Sequence, residues 1–126
     1  MNWIFDKSRP ICPQICELIC IAIANGEISA GAKLFSVREV ALLAGVNPNT
    51  VQKSFEELER RGVIHSVRCS GWYVNDNTDA AIEEVRALRI KRSEEYLATM
   101  LQLGCNWDDI LKHLNDIKEV KYEGNS

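Results

Sequence analysis

At 126 residues, 46% of them hydrophobic and 26% charged, the chain has room for one ordinary domain or a small domain with an appendage, and it is too apolar to be disordered. Its most apolar run, CELICIAIA, is far short of the roughly 20 residues that span a bilayer, and MNWIFDKSRP lacks the layout of a signal peptide, so a cytoplasmic location is expected. The net charge of −3 weighs against a nucleic-acid partner until its distribution is read: residues 33–74 hold six basic and four acidic residues, residues 75–126 seven and eleven.

Ile15, Leu18, Ile19, Ala22 and Ile23 recur at helical spacing, which predicts a first helix from near Pro13 to Asn25. Asn25-Gly26 is a stop signal, since both residues tolerate the left-handed conformation. A loop, GEISAGAKL, then leads into a short extended piece at Lys33–Phe35. Ser36 and Glu39 have the spacing of a capping box, and Val37, Val40, Ala41 and Ala44 make the buried stripe of a second helix that Gly45 ends. Only Val46 precedes the next cap, Asn47, with Pro48 at the first helical position, so the two helices form a helix-turn-helix. On the third helix Val51, Phe55 and Leu58 face the core, while Asn49, Gln52, Lys53 and Glu56 share another face. That helix should end at Arg61-Gly62.

VIHSVRCSGWYV reads as a hairpin, with strands at Val63–Val67 and Trp72–Val74 and a turn at Arg68–Gly71. NDNTD marks a boundary. Ala80 to Leu103 then reads as one long helix stopped by Gly104, and Asn106 caps a last helix striped by Trp107, Ile110, Leu111, Leu114 and Ile117. These two helices are expected to form an antiparallel hairpin, and the tail YEGNS to fray. The fold class expected is therefore mainly α with a small β wing: a winged helix-turn-helix over residues 1–75, followed by a helical segment over 76–126.

The five cysteines, Cys12, Cys16, Cys20, Cys69 and Cys105, are odd in number and contain no Cys-x-x-Cys pair. Reduced, apolar roles are expected. Cys12, Cys16 and Cys20 share one face of the first helix, where packing competes with a soft-metal or redox-sensor role; no cation close in sequence would activate the thiols. His65 and His113, the only histidines, stand in no metal or nucleophile motif, and no phosphate loop or paired carboxylates appear. No enzyme, cofactor or metal is expected.

The amide-rich start of the third helix has a use in the major groove. Asn and Gln can pair bidentately with adenine, Lys can reach guanine or phosphate, and Thr a phosphate or thymine methyl. Asn49, Thr50, Gln52 and Lys53 supply these groups, and backbone N–H groups of the first turn would add an anion site. A protein-interaction module without sequence-specific DNA binding is the alternative, but such a surface should expose aromatic or aliphatic anchors there.

The run GEISAGAKLFSVREVALLAGVNPNTVQKSFEELERRGVI resembles the DNA-binding domain of the GntR family of bacterial transcriptional regulators, and VNPNTVQK with the short helical C-terminal segment resembles its YtrA subgroup. The resemblance covers about residues 10–74. It implies that Arg38, Asn47, Asn49, Thr50, Gln52 and Lys53 face double-stranded DNA and that the wing touches the minor groove or backbone. Lys33, Ser36, Arg68, Ser70 and Gly71 complete the expected DNA-facing set. Two departures stand out. Phe35 occupies the position before Ser36 where the family has Pro, and Cys69-Ser70-Gly71 replaces a Gly-basic-Gly wing tip, leaving Arg68 as the nearby cation. The function expected is a transcriptional repressor binding an inverted repeat as a homodimer. The dimer would be joined by Ile82, Val85, Leu88, Tyr96, Leu97, Leu101, Trp107, Ile110, Leu111 and Leu114; a small effector is left open.

Overall fold

The computed structural model describes residues 1–123. It divides into two compact units, residues 1–87 and 88–126, the division falling inside one long helix.

The first unit is built on three helices and a hairpin. Helix α1 runs Ile11–Ala24, starting two residues before the expected position. Pro13 is tolerated at its third position because the first four N–H groups of any helix lack intrahelical partners. The Gln14 side chain fixes the preceding chain: its amide donates to the Asp6 and Pro10 carbonyls and accepts from the Asp6 N–H. That holds Trp3 and Phe5 against the core. At the other end Gly26 takes the left-handed conformation, while Asn25 stays right-handed.

Helix α2 (Val37–Ala44) begins with the expected capping box, the Glu39 N–H donating to Ser36 Oγ and the Ser36 N–H to the Glu39 carboxylate. Gly45 closes it with φ +67, a value that lets the chain turn at once into helix α3 (Pro48–Arg60). Val40, Ala41 and Ala44 are buried and Val37 is half-buried; Leu42 and Leu43 point to solvent.

Val51, Phe55 and Leu58 of α3 are fully buried among Ile15, Ile19, Val40, Ile64 and Val74, and Trp72 meets Phe55 edge to face at 5.6 Å. Buried Ser54 satisfies its hydroxyl on the Thr50 carbonyl at 2.8 Å, the backbone bond by which a helix tolerates serine in a core. Its smallness admits Cys16, whose thiol reaches the Ser54 carbonyl. Cys16 and Cys20 lie in the core, with Cys12 packed against it, as their shared face predicted.

Strands β1 (Ile64–Val67) and β2 (Gly71–Val74) pair antiparallel, with Ile64 opposite Val74 and Val67 opposite Gly71. The turn is Arg68–Ser70, one residue shorter than expected, and Cys69 sits there at φ +62. The extended piece at Lys33 makes an isolated antiparallel bridge to Tyr73, and the Leu34 N–H donates to the Trp72 carbonyl, so the piece is tied to the edge of the two-stranded sheet.

Helix α4 spans Asp79–Gln102. Its first two turns complete the core: Ala81 and Val85, at i and i+4, are buried there. This corrects the assignment of Val85 to an exposed dimer face with Ile82. The two residues lie three apart and diverge around the helix, and Ile82 stays 40% exposed.

In the second unit Gly104, at φ +86, ends α4, and Asn106 and Asp109 form a capping box for helix α5 (Trp107–Ile117). A π-helical segment, Lys118–Glu123, follows. Tyr122 and Glu123 of the tail are thus helical; its last three residues lie outside the described ones. Tyr96 and Leu97 of α4 and Trp107 and Leu114 of α5 line an open groove of about 590 Å³. The hairpin leaves most of its own stripe uncovered. Ile110 is buried, but Trp107 is 60%, Leu111 56% and Leu114 45% exposed. No helix among the described residues is long and apolar enough to cross a membrane.

Candidate nucleic-acid interface

The predicted DNA-facing residues all fall in the first unit, on the α2–α3 pair and on the wing. Asn47 caps α3: its Oδ1 accepts the Asn49 N–H at 2.8 Å. That bond occupies the carbonyl half of the amide, so Asn47 offers DNA its Nδ2 donors, which suit a phosphate better than an adenine. The expected anion site at the first turn is closed. Pro48 has no N–H, the Asn49 N–H is taken by the cap, and those of Thr50 and Val51 bond the Asn47 carbonyl at 3.0 and 3.4 Å.

Asn49 and Lys53 are exposed and lie opposite the buried Val51–Phe55–Leu58 face, and the half-exposed Thr50 and Gln52 flank that face on either side. Ser36 has given its oxygen to the capping box and keeps its O–H for donation. Arg38, in the first turn of α2, is exposed.

Ion pairing separates the cations. Arg60 and Arg61 both hold Glu57, and Arg61 also reaches Glu84. Among the described residues Lys33, Arg38, Lys53 and Arg68 have no carboxylate partner. These are the four cations of the predicted set, and Lys7, Arg89, Lys91 and Lys112 likewise have none among the described residues.

On the wing, Lys33 lies across Gly71. A Cβ at residue 71 would stand 3.2 Å from Lys33 Cε, and the φ of +136 there is itself a glycine conformation. Ser70 Oγ is bonded to the Tyr73 hydroxyl, and the Tyr73 ring stacks on His65.

Residues outside the predicted set hold the wing in place. Glu59 of α3 accepts both the N–H and the Oγ–H of Ser66, tying the helix to β1. Asn75 donates to the Gly62 carbonyl at 2.7 Å, which turns its Oδ1 toward His65 Nδ1 at 2.6 Å. In sequence Glu59 is one acid in a charged run and Asn75 part of a polar boundary, so only pairing distances reveal either.

Residues 13–74 match the family model for bacterial regulatory proteins of the gntR family. The chain is 38% identical over 91 residues to the transcriptional repressor YtrA of Bacillus subtilis, spanning 72% of this chain and 70% of that protein. The chain belongs to the GntR family of bacterial regulatory proteins. A GntR-family transcriptional regulator from Listeria monocytogenes superposes with a TM-score of 0.79 at 34% identity, covering 89% of this chain and 98% of that one. The likeness therefore extends past the winged helix into the C-terminal helices. The DNA-binding domain of AraR, solved in complex with an operator, superposes at a TM-score of 0.51 with 29% identity over 52% of this chain and 80% of its own. Membership bears out the expected fold, the YtrA-type resemblance and a DNA-binding transcriptional role. The family's members are regulators, not enzymes.

Proposed function

We propose that this GntR-family regulator is a cytoplasmic repressor that binds an inverted-repeat operator as a homodimer, with α3 in the major groove. The observation that carries the reading is the division of labour on α3. One face is wholly buried, while the other presents the Asn49 amide, the Gln52 amide and an unpaired Lys53. Asn49, with no side-chain bond of its own among the described residues, is the adenine reader, and Lys53 meets a phosphate. Arg38 at the start of α2 and Lys33 and Arg68 at the wing add backbone contacts that fix register without carrying sequence information.

The second copy is assigned to the C-terminal unit. Trp107, Leu111, Leu114 and Leu101 are each about half exposed or more, and Trp107 and Leu114 line the groove between α4 and α5 with Tyr96 and Leu97. An apolar surface of this kind is characteristic of an interface, and a closed two-fold dimer covers it without exposing another. Ile82 and Leu88 are assigned to the same interface; Val85 and Ile110, both buried within the chain, are not.

Binding of duplex DNA by the Asn49→Ala and Lys53→Ala variants tests the α3 assignment. N49A should lose about 1–3 kcal/mol at the preferred site and relax preference at one base pair per half-site. K53A should weaken binding to all sequences alike and reduce the dependence of log K on log salt by about one phosphate contact. Unaltered binding by both variants would remove α3 from the interface.

A further inference from the structure

Gln52 is not free to choose its orientation. Its Nε2 donates to Glu56 Oε1 at 3.0 Å, one helical turn further on. A glutamine amide rotates about its last bond, and its two ends then exchange donor for acceptor. A carboxylate accepts and cannot donate, so Glu56 selects one of the two rotamers. Donation of one N–H to Glu56 leaves the second N–H and the Oε1 carbonyl for a ligand. That acceptor-and-donor edge complements the N6 donor and N7 acceptor of adenine.

The surrounding charges support this role. On an exposed helix, Lys53 would ordinarily pair with Glu56 or Glu57 at i+3 or i+4. Here Glu57 is held by Arg60 and Arg61 and Glu56 by Gln52, and Lys53 has no acidic partner among the described residues. The acid at residue 56 thus sits on the DNA-facing side of α3 bonded to the amide and not to the cation.

We infer that Glu56 is a positioning residue for base readout: it sets the donor–acceptor sense of the Gln52 amide and thereby makes one base pair of each half-site specific. This rests on the proposed placement of α3 in the major groove. Glu56 repels phosphates, so it should lower overall affinity while sharpening selectivity.

The test compares three variants of the full chain, Gln52→Ala, Glu56→Ala and Glu56→Gln, on duplexes carrying every single base-pair change of the site selected by the unaltered protein. Q52A should lose on the order of tenfold or more of the preference at one position. E56A should lose several-fold of the preference at that same position, though it binds all duplexes more tightly. E56Q also removes the charge, and its amide can either accept from Gln52 or donate to it, so it no longer selects one sense and should lose part of the preference. If Q52A flattens a position and E56A does not, the positioning role is overturned and the α3 reading stands. Full retention of the preference by E56Q would show that an acceptor-only partner does not set the sense of Gln52, and would overturn it as well. A Q52A profile identical to that of the unaltered protein would show that Gln52 reads no base, and both readings of this residue would fall together.

Discussion

Cys16 and Cys20 show what burial does to a reactive side chain. Desolvation, the largest effect on each, pushes both thiols up to about 12 from an ordinary value near 9; neighbouring Cys12 for the first and Glu84 for the second push the same way. At neutral pH neither forms a thiolate, so neither is a nucleophile. A thiol reagent at pH 8 should modify exposed Cys69 first, half-buried Cys12 and Cys105 more slowly, and Cys16 and Cys20 only on unfolding. Rapid labelling of Cys16 or Cys20 in the folded protein would contradict the packing described. The linkage has a definite sign. The folded state keeps these protons where the unfolded chain loses them, so their contribution to stability is intact below pH 9 and declines as pH rises from 9 toward 12. Cys→Ser at either position should cost about 1–3 kcal/mol, since a buried hydroxyl needs a stronger partner than a thiol does. Denaturant midpoints of the single variants measure it.

At the scale of elements, α2 and α3 were readable almost residue by residue because local chemistry determines their ends. The Ser36–Glu39 box, Gly45, Asn47 and Pro48 each satisfy or remove a backbone donor, or relieve a conformation, within a few residues. Asn47→Ala should therefore cost about 1 kcal/mol of stability and also free the Asn49 N–H, measurable as a lower melting temperature. The same locality explains what was not readable. The closed anion site follows from Pro48 and the Asn47 cap acting together, and helix N-termini considered singly suggest the opposite. Val85 is spaced with Ile82 and Leu88 in a way that fits either a core or an interface, and only its burial within the first unit's core cluster assigns it to the core. The wing ties are long-range as well: Glu59 meets Ser66 and Asn75 meets Gly62 through spacings that no periodicity marks. Glu59→Ala should leave α3 folded but loosen its bond to β1, lowering affinity for DNA with little change in base preference. A changed preference at a single base pair would instead make Glu59 a reader.

For the whole molecule, the apolar surface of the second unit is the feature that requires a partner. The first unit has its own core, extending through Ala81 and Val85, so a chain ending at Ala87 should fold and sediment as a monomer while the full chain sediments as a dimer. Ending it earlier, before Ala81, would strip the core and confuse loss of dimerisation with loss of folding. Leu111→Glu in the full chain should give a folded monomer, since a charge on an exposed position costs little within the chain but much in a buried interface. Two copies of α3 on a two-fold axis read two half-sites, so the symmetry of the operator follows from the symmetry of the dimer. Selection of bound duplexes from a randomised library by the full chain and by N49A tests it most directly. A two-fold dimer should select an inverted repeat, with N49A losing preference at one pair of symmetry-related positions and keeping the rest. An asymmetric site, or an N49A profile indistinguishable from that of the unaltered protein, would contradict it.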